Sequence, residues 1–275
     1  MSNTLALLAA LFWGFAAFAG GQAARRSHLF SVLVLDQILA ALFSIPFAFF
    51  IADEFLLRDF LIGGASGLFG SAGVAFFYLG LRTNMVTVAP IAGVAGAFLP
   101  LLWGLALGEH LSLLQLFGVV LGLLSIVLVS GSEGGKLNLQ LGPIINGVLA
   151  GIGFGFGYII LDYTNPSTAP WPIAGARVVP ATLIVLAIAK APWPAIASTR
   201  ARPFIVGASF ADVLAAVLFL AALNSGLLSI STVLSCLHPA VTVILARVFL
   251  RERISTSQSV GLVVALAAIS MITAG

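Results

Sequence analysis

From Thr4 to Ala24 the chain reads TLALLAALFWGFAAFAGGQAA, 21 residues without one charged side chain. About 20 mostly apolar residues are what a helix needs to cross the hydrocarbon core of a bilayer, where backbone polar groups must be satisfied within the segment itself. Runs of this kind recur to the end of the chain, at roughly 4–23, 30–52, 60–81, 86–107, 113–130, 141–161, 172–189, 203–223, 227–248 and 256–274. They are too long and continuous for the alternation of a barrel strand. Charged residues make up 8% of the 275, against about 25% in a soluble domain, so most of the exterior must face lipid. The expectation is an all-α membrane protein of ten transmembrane helices with short loops and no extramembrane domain. The first run lacks a preceding basic segment and leads into further spans, so it reads as a span and not as a cleaved leader.

The loops after spans 1, 3, 5, 7 and 9 carry Arg25, Arg26, Arg82, Lys136, Lys190, Arg200, Arg202, Arg247, Arg251 and Arg253, whereas those on the other side carry Arg58. Lys and Arg gather in cytoplasmic loops. This bias predicts cytoplasmic odd-to-even loops and both termini on the non-cytoplasmic side. The net charge of +3 is accounted for by those loops and asks for no nucleic acid.

A polar pattern occurs twice. Glu109, Ser112, Gln115 and Gly118 are repeated by Glu252, Ser255, Gln258 and Gly261, 143 residues later. A second match, LAALFWGF (8–15) with LAGIGFGF (149–156), has a spacing of 141. Five spans separate the copies, an odd number, so the second half should lie inverted relative to the first. Related loops swap their charge bias accordingly: RRSH after span 1 is basic, and LDYTNPST after span 6 is not. The predicted units are an N-terminal repeat, 1–135, and an inverted C-terminal repeat, 136–275. Inverted repeats characterise secondary transporters, which expose a midplane site to alternate sides; some channels share them. Ser-x-x-Gln at the start of a span predicts a capping box, with the Glu placed by its helix's positive end. Glu109 and Glu252 as proton sites at the membrane edge are the functional alternative.

Ten spans, two five-helix halves and Gly108-Glu109 between the fourth and fifth spans resemble the drug/metabolite transporter superfamily, EamA type. The second half departs from this with Arg251-Glu252. The resemblance implies a transporter of small metabolites, amino acids among them, in a bacterial inner membrane, without an ATPase. The chain has no Gly-x-x-x-x-Gly-Lys-Ser/Thr loop, in keeping with that. No family site residue is carried over.

Ionisable groups within a span are costly and mark functional positions. Asp212 and His238 fall near the middle of spans 8 and 9. Asp212 is a candidate for holding a substrate ammonium or the coupling proton, with His238 sharing that proton. The alternative for both is hydrogen bonding within the helix packing, His238 to a backbone carbonyl. Asp36 and Arg177, 141 residues apart, lie about six residues into their spans from opposite sides. They are expected near opposite faces, too far apart for a salt bridge, each at a gate or snorkelling to its own interface. Trp13 and Phe154 match through the repeat and are expected in an aromatic cavity wall suited to flat or cationic ligands. Tyr78, Trp103 and Tyr158 join them as lining candidates, with interfacial anchoring the alternative. Small residues at four-residue spacing (Gly63, Gly67, Ser71, Ala75; Gly147, Gly151, Gly155; Gly104, Gly108) predict close helix packing. Pro90, Pro100 and Pro239 predict bends in spans 4 and 9 around the cavity.

The lone Cys236 and scattered His28, His110 and His238 form no metal constellation, and no nucleophile elbow or phosphate loop occurs. Together with the resemblance, the residues lead to the expectation of a secondary transporter of an amino-acid-like or aromatic solute, an exporter, with no cofactor beyond proton coupling. An uncoupled channel or facilitator is the alternative; an intramembrane enzyme is weaker, because paired acids with metal-ligand spacing are missing. Oligomeric state is left open.

Overall fold

The computed structural model describes residues 1–130, 141–188, 197–251 and 255–275, the side chains of 29, 78, 80–87, 89, 90, 130 and 188 excepted. The Tyr78 side chain and Glu252 therefore lie outside the described residues. Among those described, all regular structure is helical: α1 (Ser2–Ala24), α2 (Leu29–Ile51), α3 (Leu57–Ala106), α4 (Leu113–Ser130), α5 (Leu141–Leu161), α6 (Trp171–Ile188), α7 (Arg202–Leu223), α8 (Leu228–Ser235), α9 (His238–Leu250), α10 (Thr256–Ala274) and a 3-10 turn at Pro166–Thr168. Seven stretches are long and apolar enough to cross a membrane, and Ile91–Ala106, Leu113–Val129 and Trp171–Ala187 are shorter apolar helices. Large apolar side chains such as Phe49, Phe50, Phe117, Val263 and Leu266 point outward, while the interior is rich in Ala. That distribution fits a lipid surround, where close backbone packing and not burial of large groups holds helices together.

Two elements differ from the expected spans. Residues 60–106, which fall in the two spans expected at 60–81 and 86–107, belong to the single 50-residue α3. It is not straight: a Cβ on Gly73 would meet Ala150 O and Phe154, and Gly157 lies by Ser66 and Gly70, whereas Gly147 meets Val88 and Ile91 and Gly155 meets Gly96 and Leu99. The first limb thus runs antiparallel to α5 and the second parallel to it, so α3 reverses direction between Gly73 and Val88. Around Pro100 the helix is unbroken. The expected ninth span, by contrast, is split into α8 and α9 at Cys236 and Leu237. Pro239 lies in the first turn of α9, where its missing N–H costs nothing.

Glycines set the closest approaches. A Cβ on Gly63 or Gly67 would lie 1.9 Å from Pro172 O or 2.0 Å from Ala176 O of α6, well inside any tolerated contact. These two are packing glycines as expected, and so are Gly147, Gly151 and Gly155 against α3. Gly108 is not: no atom lies within 4 Å of its Cβ position, and its φ is +93°. Its N–H donates to Leu105 O at 3.1 Å and that of Glu109 to Gly104 O at 2.9 Å, the paired bonds of a Schellman turn closing α3.

Contacts recur between the halves. Gly14 of α1 abuts Val241 of α9, as Gly155 of α5 abuts Leu99 of α3; Gly118 of α4 abuts Ile272 of α10, as Gly261 of α10 abuts Val129 of α4. Loops also meet in two groups. Gly226 abuts Ser2 and Gly275 abuts Ser112, while Asp59 Oδ2 accepts from Asn165 N and Thr168 Oγ1, both at 2.8 Å. In the other group, Ser198 Oγ donates to Arg26 O at 2.7 Å and Ser257 Oγ to Leu128 O at 3.0 Å.

Candidate functional site

Asp212 sits halfway along α7, on a helix that packs against α1, α2 and α6. Both its oxygens are engaged. Trp13 Nε1 of α1 donates to Oδ1 at 3.1 Å, and Arg177 of α6 pairs with Oδ2 at 2.8 Å. The Asp212 and Arg177 side chains keep 27% and 22% of their surface accessible, so the pair is only partly enclosed by the helices around it. The Arg177 Nε is buried and has no hydrogen-bond partner.

One turn earlier on α7, Ser209 donates to Asp36 Oδ1 of α2 at 2.6 Å. Residues three apart share a helix face, so Asp36 and Asp212 stand on successive turns of the same wall. This corrects the expectation for Asp36 and Arg177. They are not at opposite faces: both converge on one turn of α7, although no direct ion pair joins them among the described residues. Depth counted from helix ends assumes upright helices, whereas spans tilt, and a long guanidinium arm reaches well away from its backbone.

Aromatic rings close the other side. The Trp13 ring centroid lies 5.3 Å from that of Phe219 and 6.0 Å from that of Tyr158, which are themselves 4.9 Å apart. His238 stands edge-on to Trp13 at 6.4 Å. It starts α9 at the helix break, not mid-helix, and its Nδ1 is buried without a partner. The packing alternative, in which a carbonyl satisfies the ring, is therefore not what the structure has for this nitrogen. The α1 backbone grips this break from both sides: Ser235 Oγ donates to Ala6 O at 3.2 Å and Thr242 Oγ1 to Gly14 O at 3.1 Å.

Trp13, Asp36, Tyr158, Arg177, Asp212 and His238 thus come together. Phe154 and Trp103 do not. Phe154 wedges between the two limbs of α3, against Phe77 and Gly73. Trp103 is exposed and donates to Tyr163 Oη at 3.2 Å, as an interfacial anchor would. Sequence reasoning missed Ser209 and Phe219. Ser209 had a signal, a lone hydroxyl one turn from Asp212; Phe219 is one of 21 Phe and had none.

The Ser and Gln of the repeated polar motif close helix caps in both copies. Ser112 N donates to Gln115 Oε1 at 2.9 Å and Gln115 N to Ser112 Oγ at 3.1 Å; Ser255 and Gln258 repeat this at 3.0 and 3.1 Å. Both capping boxes form as expected. Glu109 does something else: it does not serve its own helix but caps α8, accepting from Leu228 N at 2.6 Å, from Ser229 N at 3.1 Å and from Ser229 Oγ. Beside it, at the end of α5, burial and the Glu109 charge hold the Asp162 carboxyl above its ordinary range. Among the described residues, no group of three or more His, Cys, Asp or Glu could hold a metal ion.

No curated protein matches the chain. A solved structure titled "Crystal structure of protein" is 18% identical with a TM-score of 0.74, covering 99% of this chain and 98% of that one; at this identity it shows a shared fold alone. The EamA-like transporter family model matches twice, over residues 1–131 and 141–274. Between them the matches cover nearly the whole chain as two repeats: the protein belongs to the EamA-like transporter family of the drug/metabolite transporter superfamily.

Proposed function

We propose that the protein is a secondary transporter that exports a small amino-acid-like or aromatic solute by alternating access, through a site formed by Asp212, Arg177 and Trp13. The observation that carries this reading is that a partly accessible ion pair, beside a buried Arg177 Nε without a partner, is hydrogen-bonded to Trp13, whose ring packs on Tyr158 and on the buried Phe219. Polar groups left unpaired inside a bundle are expensive, and a ligand would satisfy them. A carboxylate would take Arg177 Nε, and a ring would stack on Trp13.

Ten crossings in two inverted halves, 1–135 and 136–275, with both termini outside a bacterial inner membrane, complete the reading. The reversal of α3, the two loop groups and the reciprocal contacts Gly118–Ile272 and Gly261–Val129 support it. A pair exchanged residue for residue in this way is what a two-fold axis between antiparallel helices produces. The split of α8 from α9 beside His238 is in keeping with the broken helices that form midplane sites. No cofactor enters the scheme. Purified protein in liposomes should show saturable counterflow of an aromatic amino acid such as phenylalanine. Linear, non-saturating flux would replace the carrier with a channel.

A further inference from the structure

We infer that Asp36, and not Asp212, is the proton-exchanging acid of this protein, with Ser209 as the hydroxyl that switches between its two charge states. The geometry is specific. The Ser209 hydroxyl lies 2.6 Å from Asp36 Oδ1 and 2.8 Å from Ile205 O. It has one hydrogen for two acceptors. Ser209 is fully buried, so water does not supply the difference.

Two arrangements satisfy Asp36 Oδ1, the Ser209 hydroxyl and Ile205 O together. With Asp36 protonated, its O–H donates to Ser209 Oγ, and the Ser209 O–H donates to Ile205 O. When that proton leaves to water, the Ser209 O–H rotates onto Asp36 Oδ1, and Ile205 O keeps the backbone N–H of its own helix. No heavy atom moves and none of the three is orphaned. Asp212 has no such freedom. Protonating it breaks the 2.8 Å ion pair with Arg177 and takes the contacting charge away from the guanidinium, leaving only the more distant Asp36 to balance it.

The surroundings set the stoichiometry. Three helices pack against α2. From α6 comes Arg177; from α7 come Asp212 and, at its start, Arg202, whose Nε is turned to Ala197 O; α1 has no titratable side chain between Ser2 and Ala24. With both carboxylates ionised, the cluster holds two negative charges against the one guanidinium of Arg177. It therefore takes one positive charge at a time, either the proton or the ammonium of a solute. This exchange rests on the transporter reading for its use, while the location of the proton rests on the cluster alone.

Two measurements test it separately. An infrared pH titration of the purified protein, carried out in an Asp162→Asn background that removes the other carboxyl held above its ordinary range, should show a protonated-carboxyl band that disappears as pH rises. The band should be absent in Asp36→Asn, shifted in frequency in Ser209→Ala, and restored toward wild type in Ser209→Thr, which keeps the hydroxyl. A band that survives in Asp36→Asn, or is lost only in Asp212→Asn, overturns the assignment. Ser209→Ala leaves both charges in place and so decides the matter even if Asp36→Asn folds poorly. In liposomes with labelled phenylalanine as probe, the pH gradient should drive transport by wild type but not by Asp36→Asn, and any exchange left in that variant should be independent of pH. Drive retained in Asp36→Asn overturns the inference. Absence of counterflow in the wild type would instead remove the transporter reading, and the infrared band would still locate the proton.

Discussion

Two polar regions of this apolar molecule look alike in composition and differ in how completely they are satisfied. At the rim, Glu109 spends both carboxylate oxygens on the first amides of α8 and on Ser229, and Ser112 and Gln115 close a reciprocal cap. At mid-bundle, Arg177 and His238 each keep a buried nitrogen unpaired, beside an ion pair that is still a quarter accessible. By its contacts Glu109 ties the first half to α8 in the second, while the Ser112–Gln115 cap closes its own helix. The central groups keep hydrogen-bonding capacity unused. Satisfaction, more than residue type, is what differs between the two regions.

The contrast can be broken most forcefully at Glu109. Replacing it by Ala orphans two backbone amides and a hydroxyl at the start of α8, and should lower stability by about 3 kcal/mol, read as a fall in unfolding temperature in detergent. Solute affinity of the folded fraction should stay within about twofold. A variant as stable as wild type would mean the cap contributes nothing.

The converse change is at the centre. Asp212→Asn should weaken phenylalanine binding, or abolish its transport, at a cost in stability smaller than that of Glu109→Ala, because the pair it breaks is partly solvated. Trp13→Ala removes contacts with three rings and should reduce affinity for an aromatic solute by about tenfold. Trp13→Phe should recover most of that, since it loses only the N–H to Asp212. Unchanged affinity in Trp13→Ala would place the solute elsewhere.

Smaller effects sharpen the rim. Ser112→Ala and Ser255→Ala should each cost about 1 kcal/mol and leave solute preference alone; a changed preference would make the motif part of the site. The smallest effect belongs to Asp162. Its folded-state pKa is raised above the ordinary value of 3.8 by burial and by Glu109. The folded protein thus holds this proton more tightly than the unfolded chain does, and its contribution to stability falls as pH rises from below that value through the raised one. Asp162→Asn should remove the decline, so that the two stability curves diverge with rising pH and the variant is the more stable at neutrality. Parallel curves would reject the assignment.

Much of the scaffold was legible in the sequence. The capping boxes were readable because a cap is local: Ser and Gln three residues apart meet within one turn. Gly63 and Gly67 were readable as a packing face because four-residue spacing repeats on one side of a helix. Pro239 marked the region where α9 begins. Pro100 lies within α3, which continues through it. Gly108 was misread as packing because small size and a left-handed turn ask for the same residue. The candidate site was legible in its residue types and not in its pairings. Trp13, Asp36, Arg177 and Asp212 stood out as polar or aromatic groups inside apolar runs, but nothing local says that Asp212 would be claimed by Arg177, or that Glu109 would cap a helix 119 residues away.

The amino-acid sequence by itself determined that this chain is a helical membrane protein built by duplication, because apolar run length and internal self-similarity follow from order along the chain. Only the tertiary structure decided which ionisable groups neutralise each other, which are left unpaired and on which side of a bundle they face. Those outcomes depend on the tilt, reversal and close approach of helices far apart in sequence. In a medium with little water, the nearest partner then fixes the state of every polar group.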